Sequence, residues 1–153
     1  MADKRKYIIE VASWRDVRDL RELEKVCFTH DAWPLMDVMG VLVFPDVVRL
    51  RAVGDGKMVG FIASDTRKSL DTGWILTLGV LPEWRRIGIA QALLSECESR
   101  MGMGKVKLTV RRSNNSAVKL YEKMDYRLAN IWRNYYRNGE DGLVMEKEMK
   151  ASS

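Results

Sequence analysis

Residues 74–90 read WILTLGVLPEWRRIGIA, and they carry much of the information about the architecture of this protein. The nearly continuous apolar run in residues 74–80 predicts a central strand that is buried on both faces. Pro82 ends this strand, because proline cannot donate a hydrogen bond to a sheet. A helix then runs to about Met101, and helical spacing predicts its apolar side: Ile87, Ala90, Leu94 and Cys97.

The turn between this strand and this helix has the features of an anion site. The first N–H groups of a helix have no partner within it, and the helix dipole adds partial positive charge there. Gly88 and Ala90 leave room for an anion at the backbone, and Arg85 and Arg86 add full charges. The pattern predicts a pyrophosphate cradle; the alternative is a tight turn with two solvated arginines. The sequence has neither the Gly-Lys-Ser/Thr of a P-loop nor the G-x-G-x-x-G of a dinucleotide site.

The rest of the chain alternates between strand and helix patterns without an internal repeat. Strands are predicted at residues 7–11, 47–53, 58–64, 105–110, 126–132 and 143–148, with a hairpin turn at Asp55-Gly56. Further helices are predicted after a capping box at residues 13–16, between Pro34 and Pro45, and from a cap at Asn115 or Ser116 through Met124. These elements predict an α+β fold in a single domain of residues 1–153, with 150–153 as a frayed tail.

Composition and charge exclude several classes of protein. No apolar run approaches the roughly 20 residues of a membrane span, and no signal core follows Met1, so we expect a cytoplasmic protein. Cys27 and Cys97 fit no metal or disulfide spacing and are expected as free thiols buried in helix interiors. The net charge is +5, and residues 100–139 hold ten basic residues against two acidic ones. This excess predicts an anionic partner: nucleic acid, a membrane surface or a phosphorylated small molecule.

Residues 74–126 resemble the core of the GNAT superfamily of acyl-CoA-dependent N-acetyltransferases. The likeness rests on the runs RRIGIA at residues 85–90, LTVRRSN at 108–114 and AVKLYE at 117–122. Within the superfamily, the chain is most similar to the ribosomal-protein N-terminal-alanine acetyltransferases, through WP at 33–34, RNYY at 133–136 and ED at 140–141. The resemblance implies a mixed, mostly antiparallel central sheet flanked by helices, with a splayed strand pair that binds acyl-CoA.

The resemblance also implies which residues bind acetyl-CoA, which would be a co-substrate used without a metal. Leu78, Gly79 and Val80 would contact the acetyl-pantetheine end, where an N–H near Val80 would polarise the thioester carbonyl. Gly79 is suited to this place because a missing side chain permits close approach. The pyrophosphate would be held by Arg85, Arg86, Ile87, Gly88, Ile89, Ala90 and Gln91. Asn114 would hydrogen-bond the cofactor arm or cap the next helix.

The implied proton donor to the leaving thiolate is Tyr121, for which the alternative is an ordinary core tyrosine. Trp33, Tyr135 and Tyr136 lie in predicted loops and would flank the acceptor, or else pack at the sheet edge. The chain departs from the family at the general base, since Thr109 stands where a glutamate is expected and Thr77 is no better. Three possibilities remain for the loss of the amine proton: a water relay to a backbone carbonyl or to Glu83, Glu140 or Asp141, a base at His30, or an acceptor that arrives neutral.

The main functional hypothesis is direct transfer of an acetyl group from acetyl-CoA to a primary amine, without a covalent enzyme intermediate. A protein or peptide N-terminal α-amine is favoured, because its pKa of about 7.7–8.0 lies well below the roughly 10.4 of lysine. One alternative is an acetyltransferase that acts on a small amine, such as a polyamine or an aminoglycoside. The other is a CoA-binding regulator without turnover. A nucleic-acid-binding module has the basic residues and Trp132, Tyr135 and Tyr136 in its favour, but no RNA-binding motif, so nucleic acid is not the expected partner. Both a monomer and a homodimer are compatible with the sequence.

Overall fold

The computed structural model of the protein describes residues 5–28 and 40–149, and they build one twisted sheet with helices on both faces. The strands in these residues are β1 (Ile8–Val11), β2 (Val47–Gly54), β3 (Lys57–Arg67), β4 (Thr72–Val80), β5 (Lys105–Arg111), β6 (Arg127–Trp132) and β7 (Gly142–Glu148). The complete helices are α1 (Val17–Cys27), α2 (Ile89–Met101) and α3 (Asn115–Lys123), and residues 40–43 are also helical. No helix in the described part of the chain is long and apolar enough to cross a bilayer.

The strand order is β1-β2-β3-β4-β5-β7-β6, so β4 and β5 lie in the middle of the sheet. Every neighbouring pair is antiparallel except β4 and β5, which run parallel and are joined by α2. A parallel pair needs a long crossover connection, and α2 provides it. The predicted α+β class and the mostly antiparallel sheet flanked by helices are confirmed.

The two central strands pair along only part of their length. Residues from Thr72 to Trp74 on β4 face residues from Lys105 to Lys107 on β5, and the pairing ends there. Just beyond this point β4 carries a bulge, since Ser64 faces Ile75 and Ala63 faces Thr77, which leaves Leu76 without a partner on β3. A bulge bends its strand and increases the local twist. The outer halves of β4 and β5 therefore separate, as the splayed pair in the prediction does.

Each face of the sheet carries its own apolar core. On the side of α2 and α3, Leu93, Leu94, Leu108, Val110 and Tyr121 form part of the larger buried cluster. On the other side, α1 packs Leu20 and Leu23 against Phe61 and Ala63 of β3. The first core fixes α2 and α3 beneath the sheet, and the second fixes the end of α1 beside the outer half of β4.

Several local predictions are confirmed by the backbone. The capping box forms, with the Ser13 N–H donating to the Asp16 carboxylate at 2.8 Å, and it opens a 3₁₀ turn that leads into α1. Gly102 ends α2 with a φ of 63°. Asp125, in the turn after α3, takes a φ of 72°. Aspartate tolerates the left-handed region better than most residues do.

Other predictions need correction. β4 is not buried on both faces: Leu76 is exposed, and Thr77, Leu78 and Gly79 are half-buried, because the separation of β5 opens a cavity beside them. Ile87 is not on the apolar side of α2, because the helix begins only at Ile89. The cap of α3 is Asn114, one residue before the predicted Asn115. The predicted helix start at Pro34 and the tail at 150–153 lie outside the described residues.

Candidate functional site

A cavity of about 350 Å³ lies where β4 and β5 separate. Its walls come from both strands, from the end of α1, from the start of α3 and from the β6–β7 connection. The lining residues are Cys27, Phe28, Ile75, Leu76, Thr77, Leu78, Leu108, Thr109, Val110, Arg111, Asn114, Ala117, Tyr121 and Tyr136. Of the predicted site residues, the cavity brings together Leu78, Asn114, Tyr121 and Tyr136.

The backbone of β4 presents hydrogen-bonding groups toward the gap. The Leu81 N–H donates to the Val59 carbonyl at 2.9 Å, so Leu81 forms a hydrogen-bonded pair with β3. Because such pairs alternate along antiparallel strands, the polar backbone groups of Leu78 and Val80 point away from β3. The Val80 carbonyl agrees with this direction, since it accepts from Arg85 Nε at 2.8 Å and from Cys27 Sγ at 3.4 Å.

The turn before α2 is open to solvent along its whole length. Arg85, Arg86, Ile87 and Gly88 are all exposed, and a Cβ placed on Gly88 would meet nothing within 4 Å. Gly88 has a φ of 94° and is the N-cap, and the first helical hydrogen bond runs from the Ala92 N–H to its carbonyl at 3.0 Å. The preceding N–H groups of α2 therefore have no partner within the helix. The backbone here fits the predicted anion cradle, whereas the Nε of Arg85 already donates a hydrogen bond to the Val80 carbonyl.

The missing side chain of Gly79 also serves the packing of the protein itself. A Cβ at this position would lie 3.2 to 3.3 Å from the side chains of Phe28, Cys27 and Leu23. These distances are tighter than ordinary van der Waals contact. The missing side chain thus allows α1 to approach β4, and the close approach on this face is made by the protein itself.

Tyr121 lies in the floor of the cavity and is only 8% exposed. Its ring meets that of Tyr126 edge-on, with the centroids 5.9 Å apart. Burial raises the pKa of the Tyr121 phenol to about 12, because the charged phenolate is poorly solvated there. The side chain is therefore a neutral O–H donor throughout the physiological pH range.

Asn114 caps α3 at the rim of the cavity. Its Oδ1 accepts from the Ala117 N–H at 3.2 Å and from the Ser116 hydroxyl at 3.2 Å. The capping role that the sequence left open is confirmed. A contact to a cofactor stays a prediction, and it would have to use the Nδ2 amide hydrogens of the same side chain, because Oδ1 already accepts two hydrogen bonds.

The connection between β6 and β7 is fastened to the end of β5. The carboxylate of Glu140 accepts from Arg111 at 2.9 Å and from the Ser113 N–H at 2.6 Å. The Arg111 guanidinium also lies 4.1 Å from the centre of the Tyr136 ring. These contacts hold Tyr136 in the cavity wall. Sequence reasoning singled out Tyr136 and Glu140 separately and did not foresee that Arg111 joins them.

The described lining of the cavity holds no carboxylate and no histidine that could act as a general base. Glu140 is nearby, but its hydrogen bonds from Ser113, together with the Arg111 charge, lower its pKa to about 2. Glu140 is therefore a poor proton acceptor near neutral pH. Asp141 is engaged by Arg112 at 3.1 Å. The predicted residues Trp33 and His30 lie outside the described part of the chain.

Both cysteines are free thiols, as predicted, but only Cys97 is buried inside a helix. Cys27 is the last residue of α1 rather than an interior one, and its half-buried thiol faces the cavity. Burial raises its pKa above the ordinary value, with a smaller opposing effect of Arg85. Cys97 is buried in α2, where its thiol lies 3.2 Å from the Ser64 hydroxyl, and burial raises its pKa to about 11. Both thiols are protonated at neutral pH and are weak nucleophiles.

The basic excess of residues 100–139 is partly balanced by carboxylates that follow in the chain. Arg111 pairs with Glu140, and Arg112 and Arg133 both lie within ion-pair distance of Asp141. Lys105 and Lys107 pair with residues of β7, which are Glu146 and Glu148. The expectation of an anionic partner therefore rests on the open turn before α2 more than on the net charge of this region.

Comparison with known proteins gives a consistent result. The sequence profile of the acetyltransferase (GNAT) family matches residues 14–126. The chain is 34% identical over 105 residues to an N-alpha-acetyltransferase of Sulfurisphaera tokodaii, covering 60% of this chain and 63% of that protein. It is 37% identical over 98 residues to the ribosomal protein bS18-alanine N-acetyltransferase of Escherichia coli K12, covering 60% and 64%. The match thus spans less than two thirds of these relatives. An uncharacterized N-acetyltransferase of Methanocaldococcus jannaschii is 31% identical over 148 residues, 92% of this chain and 91% of that protein.

Solved structures share the fold at low sequence identity. The crystal structure of the ribosomal-protein-S18-alanine N-acetyltransferase from Escherichia coli matches with a TM-score of 0.86 at 24% identity, over 97% of both chains. The structure of Arabidopsis thaliana NAA60 in complex with acetyl-CoA matches with a TM-score of 0.82 at 23% identity, over 94% of this chain and 99% of that one. Both matches support the architecture described above.

Proposed function

The chain belongs to the acetyltransferase (GNAT) family, and on that basis we propose that it moves an acetyl group from acetyl-CoA directly to a primary amine. The proposed acceptor is the α-amine at the N-terminus of a polypeptide. Relatives named for action on N-alpha-amines or on an N-terminal alanine support this choice. The chemistry of the cavity supports it independently.

The observation that carries the proposal is the gap between β4 and β5. Leu78 lines one wall of the gap, the outward backbone of Val80 follows it along β4, and Tyr121 forms the floor. The open N-terminus of α2 begins nine residues after Val80 in the same connection. An extended ligand with an acyl group at one end and a diphosphate further along would therefore meet hydrogen-bond donors at both places. The outward backbone of β4 would face the acyl end, and the first N–H groups of α2 would face the diphosphate.

Acetyl-CoA supplies a thioester, which is an acyl group activated toward amines. For this ligand, the N–H groups at Gly88, Ile89, Ala90 and Gln91 are the proposed partners of the diphosphate. The exposed side chain of Arg86 adds positive charge beside them. Leu78 and Val80 are the proposed backbone partners of the pantetheine arm.

Two groups of the protein are placed to stabilise charge during the transfer. The outward N–H near Val80 is the proposed donor to the thioester oxygen, and such a donor is worth about 3 kcal/mol in other acyl transfers. Tyr121 is the proposed acid for the departing sulfur. Its raised pKa of about 12 keeps the proton on the oxygen, so the O–H donates a hydrogen bond to the developing thiolate. A proton that this hydroxyl gives to the sulfur is replaced by the proton that the attacking nitrogen loses, and the products are the amide and the thiol.

The described cavity lining offers no proton acceptor, so the acceptor amine has to be neutral when it attacks. An α-amine with a pKa of about 8 is neutral in a fair fraction of molecules at pH 7.5, whereas a lysine with a pKa near 10.4 is almost entirely charged. This difference favours N-terminal amines over lysines. The protonated thiol of Cys27 also favours direct transfer over a cysteine-linked intermediate.

Thr109 gives a second candidate some support. A protein that binds acetyl-CoA through the same backbone groups, but has no base on β5, could act as a regulator without turnover. Thr109 lies in the cavity lining at the place where the family's glutamate is expected. The Tyr121 side chain in the cavity lining carries an O–H that catalysis uses and core packing does not need, and we therefore rank the regulator second.

The test is thiol release from acetyl-CoA with a panel of acceptors, which includes N-terminal peptides, free lysine, spermidine and an aminoglycoside. Wild type should release thiol fastest with the peptides. Tyr121→Phe keeps the ring and removes the O–H, and it should lower kcat by about 100-fold or more, with little change in acetyl-CoA binding.

The matched control is Tyr7→Phe, because Tyr7 packs against the same core cluster but does not line the cavity. This variant should behave as wild type. Faster turnover of spermidine or the aminoglycoside than of any peptide would replace the proposed acceptor. Acetyl-CoA binding without turnover of any amine would establish the regulator instead.

A further inference from the structure

The Tyr121 side chain is buried, but its hydroxyl has no hydrogen-bond partner among the residues that the structure describes. An unpartnered O–H suits the proposed acid, because it is available to the departing sulfur. It also means that none of the described residues fixes the direction of this hydroxyl by a polar contact. Its direction therefore depends on what packs against the Tyr121 ring.

The ring that meets Tyr121 edge-on belongs to Tyr126, the residue just before β6. Tyr126 is 2% exposed and is not among the described residues that line the cavity. The two backbones are joined as well, since the Tyr126 N–H donates to the Tyr121 carbonyl at 2.9 Å. Tyr126 thus contacts Tyr121 through its ring, in an arrangement that aromatic pairs favour, and through its backbone.

The far end of the Tyr126 side chain is anchored in the core. Its hydroxyl donates to the Glu98 carboxylate at 2.6 Å, and Lys147 donates to both oxygens of that carboxylate at 3.1 and 3.2 Å. The Glu98 side chain is 5% exposed and that of Lys147 17%. Burial and the Glu98 carboxylate raise the pKa of Tyr126, so its phenol stays protonated and keeps donating. A buried ion pair therefore holds this ring by its oxygen.

Packing alone does not require the polar groups beneath Tyr121. A phenylalanine at position 126 would fill nearly the same space, and a buried O–H is unfavourable unless it finds a partner. Glu98 is likewise a buried carboxylate that depends on Lys147, and apolar side chains in place of such a pair are often as stable. Three polar side chains nevertheless meet here, directly behind the residue that the proposed mechanism uses as its acid.

We propose that Tyr126 is a positioning residue for Tyr121, and this inference rests on the proposed function. Held by Glu98 at one end and by its backbone at the other, the Tyr126 ring keeps the Tyr121 ring at one angle in the floor of the cavity. The Tyr121 O–H then points to the place of the departing sulfur before acetyl-CoA arrives. Misplacement of a reacting group slows the chemical step. The contact with Tyr126 therefore acts on kcat and not on the binding of either substrate.

The test is a double-mutant cycle on kcat, with acetyl-CoA and a peptide acceptor. Tyr126→Phe keeps the ring and removes the hydrogen bond to Glu98. It should lower kcat by about three- to tenfold and leave the KM for acetyl-CoA within about twofold. Added to Tyr121→Phe, the same substitution should change kcat by less than about twofold, because no hydroxyl is left to position.

Ser64→Ala is the matched control, since it also removes a hydroxyl from a buried hydrogen bond, the one with Cys97 at 3.2 Å. Both single variants should unfold at a lower urea concentration than wild type, but Ser64→Ala should keep kcat within about twofold. A second variant reaches Tyr126 from the other side. Glu98→Leu combined with Lys147→Met removes the acceptor of the Tyr126 hydroxyl and leaves no buried charge. It should lower kcat as Tyr126→Phe does.

The outcomes separate this inference from the proposed function. Equal losses of kcat when Tyr126→Phe is made in wild type and in Tyr121→Phe would show a general effect on the fold and overturn the inference alone. Wild-type kcat in Tyr126→Phe would overturn it as well. Full activity of Tyr121→Phe would remove the proposed acid together with its positioning residue and leave acetyl transfer in place. Failure of every amine to react would overturn the proposed function itself, and the inference with it.

Discussion

Arg111 and Glu140 form an ion pair of 2.9 Å that ties the end of β5 to the connection between β6 and β7. The two side chains are each less than one fifth exposed. Because the same guanidinium lies against the Tyr136 ring, one ion pair sets the position of a cavity wall. Glu140 also accepts from the Ser113 N–H, one residue before the Asn114 cap of α3. The proposed acceptor side and the proposed cofactor side of the cavity thus share one carboxylate.

We expect Glu140→Gln to loosen the wall that Tyr136 forms. Glutamine can still accept from the Ser113 N–H, but it carries no charge to hold Arg111. The KM for a peptide acceptor should rise by about three- to tenfold, whereas the KM for acetyl-CoA and the kcat at saturation should change by less than about twofold. Steady-state kinetics with each substrate varied in turn checks this expectation.

Glu148→Gln provides the control, because Glu148 also forms an ion pair, with Lys105, but is 76% exposed and far from the cavity lining. The pKa of Glu140 is lowered to about 2, so its contribution is present above the ordinary glutamate pKa and is lost as the pH falls toward 2. The acceptor KM of wild type should therefore show no Glu140 titration between pH 5 and 9. An unchanged acceptor KM in Glu140→Gln would mean that the Arg111–Glu140 ion pair does not position the cavity wall for the acceptor.

Lys147→Met should destabilise the protein strongly. Glu98 is a buried residue of α2, and its carboxylate accepts from Lys147 at 3.1 Å and from the Tyr126 hydroxyl at 2.6 Å. Without the lysine, a buried carboxylate is left uncompensated, which costs about 3–5 kcal/mol in other proteins. Urea unfolding followed by circular dichroism measures the loss.

The combination of Lys147→Met with Glu98→Leu should recover most of this stability, because it removes the buried charge along with its partner. Lys105→Met is the comparison for an exposed pair and should cost no more than about 1 kcal/mol. If Lys147→Met unfolds at the same urea concentration as wild type, the Glu98 carboxylate is compensated by groups other than Lys147.

Short-range features of this fold could be predicted from the sequence. The capping box at Ser13 and the end of α2 at about Met101 depend on residues within one or two helical turns, and both form as expected. The same holds for the turn before α2, since the N–H groups of a helix start are a property of any helix. The mostly antiparallel sheet with its splayed strand pair followed from the family resemblance, because periodicity alone does not pair strands that are distant in sequence.

Features that depend on distant residues were not foreseen. Cys27 faces the cavity because α1 approaches Gly79, a contact that joins residues 52 positions apart. The stacking of Trp74 on Trp132 depends on how β4 and β6 lie across two intervening strands. The exposure of Leu76 depends on a β-bulge, and no residue type in β4 indicates the position at which the register shifts.

Gly79→Ala should separate α1 from β4. The new methyl group would meet Leu23, Cys27 and Phe28 at 3.2 to 3.3 Å, and the helix end would have to shift by a few tenths of an ångström. Overpacking of this kind costs about 1–3 kcal/mol. Urea unfolding should show the loss, and Gly79→Ala combined with Leu23→Val should recover part of it. A variant as stable as wild type would show that the end of α1 adapts without cost.

The dependence of kcat/KM on pH distinguishes an acceptor that arrives neutral from one that the protein deprotonates. With a peptide α-amine, kcat/KM should rise with pH and level off above the amine's own pKa of about 8. Tyr121 should impose no fall below about pH 10, because its pKa is raised to about 12 and its protonated form persists. A peptide whose N-terminal amine has a lower pKa should shift the whole rise to lower pH by the same amount. A rise that stays at one pH for peptides of different amine pKa would instead report a base of the protein, and His30, Glu83 and Asp141 would then be the first side chains to replace.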